Sequence, residues 1–382
     1  MRKRKQFLPF SLPLIDKKEV SEVVETLRSG WLSIGPKTKK FEKKFAKYIG
    51  VKHAVALNSC TAGLHLALLA DGVGKGDEVI LPSFTFVSTA NVIVHVGAKP
   101  IFADIKEDTF NIDTEEIERK ITKRTKAIIP VHYAGQAVNI DEVNRIAKKY
   151  KLRVIEDAAH AVGGEYRNRK IGALGNTTCF SFYATKNMTT GEGGMLTTNN
   201  KKLAEFTQIN RLHGISKDAW NRYSKKGSWR YRIESAGWKY NMTDVQAALG
   251  LHQLSKVDQF IRIRNKYAKA YDKGLKDLKR IETPFKKKQV KHAYHLYPIL
   301  VKGYSRDLLI EKLLKRNIGT SVHFLPLHLQ PFYKTNFNYK KGDLVITEKI
   351  AREIVSLPLY PKMKLNDIKY VIFSIKEILE ER

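Results

Sequence analysis

Short apolar runs alternate with segments of helical periodicity along most of the chain. The runs predict strands at residues 53–57, 78–81, 100–104, 126–131, 153–157, 179–182 and 195–198. Between them lie helical patterns such as 140–149, where Val143, Ile146 and Ala147 are spaced to form one face. Strands that alternate with helices are typical of βαβ units, so the pattern predicts an α/β fold with a mostly parallel seven-stranded sheet and helices on both faces.

The C-terminal part of the chain predicts a second, smaller domain. A chain of 382 residues exceeds the size at which a single hydrophobic core stops growing. A long helical pattern at 244–272 leads into an α+β region with a strand at 295–301 and a terminal helix at 366–379. We therefore predict a large domain over residues 1–255 and a small C-terminal domain over residues 256–382.

The charge of the chain raises the question of an anionic partner. Lys and Arg number 69 against 38 Asp and Glu, which gives a net charge of +31. The lysines are dispersed, however, and those between residues 37 and 47 surround Phe41, Phe45 and Tyr48 as on the solvated face of an amphipathic helix. We expect no specific nucleic-acid partner, and we keep a non-enzymatic DNA-binding protein as an alternative.

The sequence favours a cytoplasmic protein. Its two cysteines, Cys60 and Cys179, provide no disulfide framework. No stretch approaches the roughly 20 apolar residues of a membrane-spanning helix, so we expect no membrane insertion. The basic opening at residues 1–5 precedes a short apolar run that Pro9 and Pro13 interrupt, and no small-residue cleavage site follows as in a signal peptide.

Two ionisable residues stand where predicted strands end. Asp157 closes the strand at 153–157, and Lys186 follows the strand-like run at 179–183 and precedes the glycine-rich segment 191–194. A lysine amine can form a Schiff base with an aldehyde such as pyridoxal 5′-phosphate (PLP), and an aspartate keeps a pyridine nitrogen protonated. Taken singly, each residue has an ordinary alternative, a solvated surface lysine or a helix cap.

A third segment adds an anion site to this pair. Residues 58–63 follow the strand at 53–57 and open an apolar helix at 64–69 with small and hydroxyl-bearing side chains. Backbone N–H groups at such a helix start can bind phosphate, although an ordinary N-cap explains the segment equally well when it is taken alone. Ligands of parallel sheets bind beyond the carboxyl ends of strands, where Asn58, Asp157 and residues 181–186 all lie.

Together these segments resemble the PLP-dependent sugar aminotransferases of the DegT/DnrJ/EryC1/StrS family, which have fold type I of the PLP-dependent transferases. The resemblance extends over nearly the whole chain. It is carried by residues 29–31, 82–87, 130–135, 240–244 and 322–328, together with the segments around Asp157 and Lys186.

The resemblance implies a role for each matching residue. Lys186 would be the catalytic lysine that binds PLP covalently and then moves the substrate proton. Asp157 would bind the ring nitrogen, His160 would lie beside the ring hydroxyl, and Phe86 would stack on the ring. The implied cofactor contacts are Thr61, Ala62, Phe86, Asp157, His160, Ser181, Lys186 and Asn241. Without the family, Phe86 would be predicted in the core and His160 as a cap of backbone groups.

The resemblance gives Asn241 a role in a site shared between two subunits. The family places the Asn241 segment in the phosphate site of the other subunit, which predicts a homodimer with two shared active sites. The stretch 220–238 is either part of the entrance to this site or a mobile surface loop.

The resemblance also implies that Trp31, His323 and His328 would contact substrate. We expect no metal site, because no carboxylate or cysteine completes a ligand set around His323 and His328.

The implied reaction has two halves, in which L-glutamate converts PLP to the pyridoxamine form (PMP) and a nucleotide-linked ketosugar then receives the amino group. Residues 8–11, 29–31 and 125–135 most resemble the enzymes of the UDP-4-amino-4-deoxy-L-arabinose type, which act at C4 for cell-surface polysaccharide or lipid A sugars. Phe86 stands where that subgroup commonly has Trp, so a dTDP- or GDP-linked ketosugar stays open. A sugar dehydratase of the same family is a further alternative, and Lys186 argues against it because those enzymes have histidine there.

Overall fold

The computed structural model describes residues 3–216 and 230–380. Its helices are α1 (Lys17–Arg28), α2 (Pro36–Ile49), α3 (Cys60–Ala70), α4 (Val87–His95), α5 (Thr114–Arg119), α6 (Ile140–Tyr150), α7 (Lys201–Asn210), α8 (Asp244–Leu275), α9 (Arg306–Lys315), α10 (Pro331–Phe337), α11 (Val345–Glu353) and α12 (Leu365–Glu380). Its strands are β1 (His53–Leu57), β2 (Glu78–Pro82), β3 (Lys99–Ala103), β4 (Thr125–Ile128), β5 (Arg153–Asp157), β6 (Glu165–Tyr166), β7 (Arg169–Lys170), β8 (Thr177–Ser181), β9 (Gly194–Thr198), β10 (Ile281–Glu282), β11 (Val290–Lys291), β12 (Tyr297–Val301) and β13 (Ile354–Leu357).

The central sheet has seven strands in the order β1-β9-β8-β5-β4-β2-β3. Strand β9 runs antiparallel to β1 and β8, and the other neighbouring pairs are parallel. Alternate strand residues enter two cores, since Ile80 packs with α2, α6 and α8 whereas Val79 and Leu81 pack with α3, α4 and α7. The predicted α/β class, with a mostly parallel sheet between two helical layers, is confirmed.

The ends of two elements differ from their predicted positions for local reasons. Strand β4 ends at Ile128 rather than at residue 131, two residues before Pro130, which has no N–H group to donate to a neighbouring strand. Helix α3 begins at Cys60 rather than at residue 64, because the Ser59 hydroxyl accepts a hydrogen bond from the Ala62 N–H at 3.1 Å and caps the helix.

A buried carboxylate joins the start of α8 to the start of α2. Helix α2 contains the lysine-rich pattern, buries Phe41 and Phe45, and has no side-chain cap of its own. Asp244 is fully buried and accepts from the backbone N–H groups of Gly35, Lys37 and Thr38 at 2.8, 2.9 and 2.8 Å, and from the Thr38 hydroxyl at 2.6 Å. The carboxylate thus satisfies three donors at a helix N-terminus, where negative charge is favoured.

The C-terminal part forms a three-stranded sheet of order β10-β12-β13 with its own core. Helix α8 runs without a break through the predicted boundary between residues 255 and 256, so the division of domains stays a prediction. The N-terminal segment also packs on this part, since Leu8 is buried in its core and exchanges backbone hydrogen bonds with Asn317 and Gly319 at 2.8 Å. Fully buried Arg264 of α8 donates to the carbonyl groups of residues 294, 295 and 359.

Within residues 3–216 and 230–380, no helix combines the length and the apolar character needed to cross a membrane.

We expect Asp244→Asn to lower the free energy of unfolding by about 3 kcal/mol, because an amide nitrogen would face buried donors that have no other acceptor. The matched control is Asp113→Asn, which changes a partly exposed cap of α5 that accepts from the Glu115 N–H at 3.0 Å and pairs with Lys106 at 3.1 Å. Asparagine caps helices as well as aspartate, so the control should cost at most about 1 kcal/mol. Urea unfolding measures both, and equal losses would contradict the role of Asp244.

Candidate active site

The carboxyl ends of the strands meet at one edge of the central sheet. Because β9 alone runs in the opposite direction, its first residue, Gly194, lies between the last residues of β1 and β8, Leu57 and Ser181. A Cβ atom on Gly194 would lie 2.3 Å from the backbone carbon of Ser59. Glycine is therefore required where the turn after β1 crosses the start of β9 and opens α3.

A cavity of about 600 Å³ lies at this edge. It is lined by residues from the ends of β1, β5 and β8, from the start of α4, and from the segments 192–193, 295 and 321–324. Seven of the predicted site residues line it: Thr61, Phe86, Asp157, His160, Ser181, Lys186 and His323.

Asp157 is a nearly buried carboxylate at the floor of this cavity, with 4 % of its surface exposed. Its Oδ1 accepts from the Ala159 N–H at 3.0 Å and its Oδ2 accepts from the Thr89 hydroxyl at 2.8 Å. Burial raises the pKa of Asp157, whereas these two donors and the charge of Lys186 act in the opposite direction. The side chain can therefore offer negative charge in a place from which water is mostly excluded.

Lys186 lies in the same cavity without a partner. Its Nζ forms no hydrogen bond or ion pair with any residue that the structure describes. Burial lowers the pKa of Lys186 to about 8, although Asp157 and Cys60 favour the ammonium form. At pH 7 about 10 % of such an amine is neutral, against about 0.03 % of an ordinary lysine, so Lys186 can act as a nucleophile or as a base.

Three histidines lie beside Lys186. The rings of His160 and His295 are 4.3 Å apart, and Phe324 stacks on His160 at 5.9 Å. The Nδ1 atoms of His160 and His295 are buried and have no hydrogen-bond partner among residues 3–216 and 230–380, so the alternative that His160 caps backbone groups is not supported. Burial lowers the pKa of all three histidines, to about 4 for His323, and the charge of Lys186 adds to this effect. The cluster is thus neutral near pH 7.

The predicted phosphate contacts differ in their availability. The backbone N–H of Thr61 has no partner in the described part of the chain and lies in the first turn of α3, whereas the Ala62 N–H is bonded to the Ser59 hydroxyl. The Ser181 side chain lines the cavity nearby and accepts from the Tyr183 N–H at 3.3 Å. Thr61 and Ser181 are therefore better placed to bind an anion than Ala62 is.

Two aromatic residues of the predicted site are exposed. Phe86 has 59 % of its surface exposed at the cavity wall, where its ring is 6.4 Å from that of Phe324, so the alternative that Phe86 packs in the core is wrong. Trp31 is 38 % exposed, and its indole N–H donates to the Ile34 carbonyl at 3.2 Å. Trp31 does not line the cavity of its own chain.

The two histidines of segment 322–328 have different positions. His323 lines the cavity and its Nδ1 lies 3.0 Å from the Ser356 hydroxyl. The ring of His328 is fully buried outside the cavity, with Nδ1 2.8 Å from the Ser83 hydroxyl and Nε2 3.2 Å from the carboxylate of Glu348. The structure therefore does not support the expected substrate contact of His328, which instead fastens this segment to the end of β2.

Asn241 also lies outside the cavity of its own chain. It is 8 % exposed, forms a β-bridge with Leu57, and donates to the Met242 carbonyl at 3.3 Å. A site shared between two subunits predicts that Asn241 lies outside the cavity of its own chain. The shared site itself stays a prediction. Of the stretch 220–238, residues 220–229 lie outside the described residues.

Sequence reasoning missed Thr89 and His295, which contact Asp157 and His160. Thr89 lies two residues after segment 82–87, which carries part of the family resemblance, and His295 begins a predicted strand. No local pattern relates them to residues 68 and 135 positions away, and only the assembled sheet does so.

These observations fit PLP as the bound group. Asp157 could bind a pyridinium nitrogen, the partnerless Nδ1 of His160 could bond to a ring hydroxyl, and the start of α3 could hold a phosphate. Lys186 supplies the neutral amine that an aldehyde requires.

Comparison with known proteins points to the same chemistry. The model of the DegT/DnrJ/EryC1/StrS aminotransferase family matches residues 13–376. The spore coat polysaccharide biosynthesis protein SpsC of Bacillus subtilis is 51 % identical, over 100 % of this chain and 99 % of its own. A UDP-4-amino-4-deoxy-L-arabinose--oxoglutarate aminotransferase of Shewanella sediminis is 41 % identical, over 98 % of each chain.

A solved structure agrees in fold and cofactor. The Streptococcus pneumoniae protein Spr1654, assigned as a sugar aminotransferase and solved in PMP and PLP forms, superposes with a TM-score of 0.92. It is 36 % identical in sequence, and the match covers 98 % of this chain and 98 % of its PMP form.

We expect Lys186 of the cofactor-free protein to have a pKa near 8, because burial disfavours its ammonium form. The pH dependence of its acetylation, followed by mass spectrometry with exposed Lys266 as the reference, measures this value. Asp157→Asn should lower the pKa further, since the carboxylate favours the ammonium. A midpoint above about 10, or an unchanged midpoint in the variant, would contradict this account of the site.

Proposed function

The chain belongs to the DegT/DnrJ/EryC1/StrS aminotransferase family, and on this premise we propose that it transfers the amino group of L-glutamate to C4 of a UDP-linked 4-ketosugar. The family, the fold and the related structures identify a PLP-dependent sugar aminotransferase. The donor, the nucleotide and the position of the keto group are our proposal.

The size and lining of the site carry the proposal. The cavity shares Thr85, Phe86 and Phe324 with a second cavity of about 950 Å³. The second cavity lies between α4 and segment 324–333, and its wall includes Phe332, Tyr333 and the two amide side chains of Asn91 and Gln330. The two adjoining cavities together offer far more space than an amino acid fills, and they suit a sugar extended by a nucleotide.

The side chains divide the work of the reaction. When bound, PLP stores the amino group between the two half-reactions and draws carbanion electrons into its ring. Asp157 would hold the proton on the ring nitrogen by its negative charge, and Phe86 would stack on the ring. We assign His160 to the ring hydroxyl, and Thr61 and Ser181 to the phosphate.

Lys186 is the catalytic residue of the proposal. Its Nζ would hold the cofactor covalently in the resting enzyme. Once free, the amine would accept the proton from the substrate carbon and return it to the other reacting carbon, because burial disfavours its ammonium form. The neutral histidines beside it add no positive charge that would compete for this proton.

The biological role that we propose is the supply of an amino sugar for a cell-surface polysaccharide or lipid. The similarity to a spore coat polysaccharide protein supports the polysaccharide role, and the similarity to a UDP-sugar aminotransferase supports the UDP-linked acceptor. Both cysteines are free, which agrees with the cytoplasmic location that we propose. A dTDP- or GDP-linked acceptor is the second candidate, because Phe86 replaces the Trp common in the UDP subgroup.

We expect the PMP form to return to PLP fastest with a UDP-linked 4-ketosugar and to be formed fastest by L-glutamate. Stopped-flow absorbance against UDP-, dTDP- and GDP-linked 4-ketosugars, oxaloacetate and pyruvate tests this, with Lys186→Ala as the inactive control. Rapid reaction with a keto acid and none with any sugar would overturn the substrate class. Rapid reaction with a dTDP or GDP sugar alone would correct only the nucleotide.

We propose that two chains form a homodimer in which Asn241 of each completes the phosphate site of the other. Neither Lys186→Ala nor Asn241→Ala homodimers should then be active, whereas a heterodimer of the two variants contains one intact site. Its activity should recover to about half that of the wild-type dimer if the Asn241 defect is severe. Purification through two different affinity tags isolates the heterodimer, and absence of recovery in it would contradict the shared site.

A further inference from the structure

A chain of two threonine hydroxyls leads to Asp157. The Thr89 hydroxyl of α4 donates to Asp157 Oδ2 at 2.8 Å, and the Thr85 hydroxyl lies 3.0 Å from the Thr89 hydroxyl. Thr89 is fully buried and Thr85 is 2 % exposed. Thr85 also lines both cavities, so the chain of hydroxyls begins at their common wall and ends at the carboxylate.

The direction of these hydrogen bonds follows from the ionisation of Asp157. A carboxylate can only accept, and a hydroxyl has a single proton to donate. Thr89 must therefore give its proton to Asp157 and accept one from Thr85. The chain is ordered only while Asp157 is charged, which is the state that a protonated ring nitrogen requires.

The two oxygens of Asp157 are consequently not equivalent. Oδ1 accepts from the Ala159 N–H at 3.0 Å and lies 3.9 Å from the Cys60 sulfur. Oδ2 has one strong donor, the Thr89 hydroxyl, and each oxygen keeps further acceptor capacity for a ligand. The terminal torsion of an aspartate is soft, so without the Thr89 hydroxyl little would hold the carboxylate plane in this orientation.

We propose that Thr89, itself oriented by Thr85, is a positioning residue that fixes the plane of the Asp157 carboxylate for its contact with the ring nitrogen of the cofactor. The inference rests on the role proposed for Asp157 and assigns neither threonine a contact with the reacting atoms. The substitution Thr89→Val removes the hydrogen bond to the charged carboxylate and keeps the volume of the side chain.

The first test is the dissociation constant of PLP from cofactor-free protein, measured by absorbance titration. Thr89→Val should weaken binding by about tenfold to a hundredfold, as expected for a lost hydrogen bond to a charged group. Thr89→Ser keeps the hydroxyl and should stay within about threefold of wild type, and Thr85→Val should weaken binding less than Thr89→Val does. The matched control is Thr207→Val, which removes a fully buried hydroxyl that donates to the Leu203 carbonyl within α7.

The second test separates positioning from packing through a double-mutant cycle with Asp157→Asn. If Thr89 acts through the carboxylate, Thr89→Val should change PLP affinity by less than about threefold in the Asp157→Asn background. An equal loss in both backgrounds, an effect no larger than that of Thr207→Val, or failure of serine to restore binding overturns the inference. If the wild-type protein binds no PLP, the function proposed for the site is overturned. If the wild-type protein binds PLP and Thr89→Val binds it equally well, only the role of Thr89 is overturned.

Discussion

The site depends on keeping an amine and a carboxylate close together in a cavity from which water is largely excluded, without allowing them to pair. A direct ion pair would stabilise the charged form of Lys186 and remove the neutral amine that the chemistry uses. In the structure, donors from Thr89 and Ala159 hold the Asp157 carboxylate, whereas the Lys186 amine has no partner in the described part of the chain. Burial can then lower the pKa of Lys186 to about 8 while Asp157 keeps two hydrogen-bond donors that favour its charge.

The rest of the fold holds the walls of this cavity in place. The sheet supplies the floor, because the single antiparallel strand β9 brings Gly194 beside the turn that opens α3. The bonds of His328 to Ser83 and Glu348 fix segment 322–328 against the end of β2, so that His323 and Phe324 reach the cavity. These contacts are polar and buried, and each would cost free energy if its partner moved. A wall fixed in this way orients the side chains before any ligand binds.

Much of the fold could be predicted from the sequence, because the strands are short apolar runs and their carboxyl ends must meet at one edge of a parallel sheet. That rule predicts that Asp157, Lys186 and the start of α3 lie together at this edge. It could not find Thr89 or His295, whose partners are distant in sequence, nor show that the Ala62 N–H is already bonded. His328 is the converse case, since its motif resembles a substrate site whereas its ring is buried against Ser83 and Glu348. The local pattern predicts where a residue lies in the fold, whereas its hydrogen-bond partners decide what it can still bind.

The geometry separates the chemistry of the site from its choice of substrate. Lys186, Asp157, Thr89 and His160 lie at the ends of sheet strands or on helices packed against them, so a change in any of them alters the cofactor site itself. The second cavity lies between α4 and segment 324–333, and substitution of exposed Leu325 and Phe332 would leave the cofactor residues in place. Relatives can therefore share the same cofactor residues and yet act on different sugars. Substrate identity must be sought in this outer wall, because the residues at the sheet edge belong to the cofactor site and are compatible with many sugars.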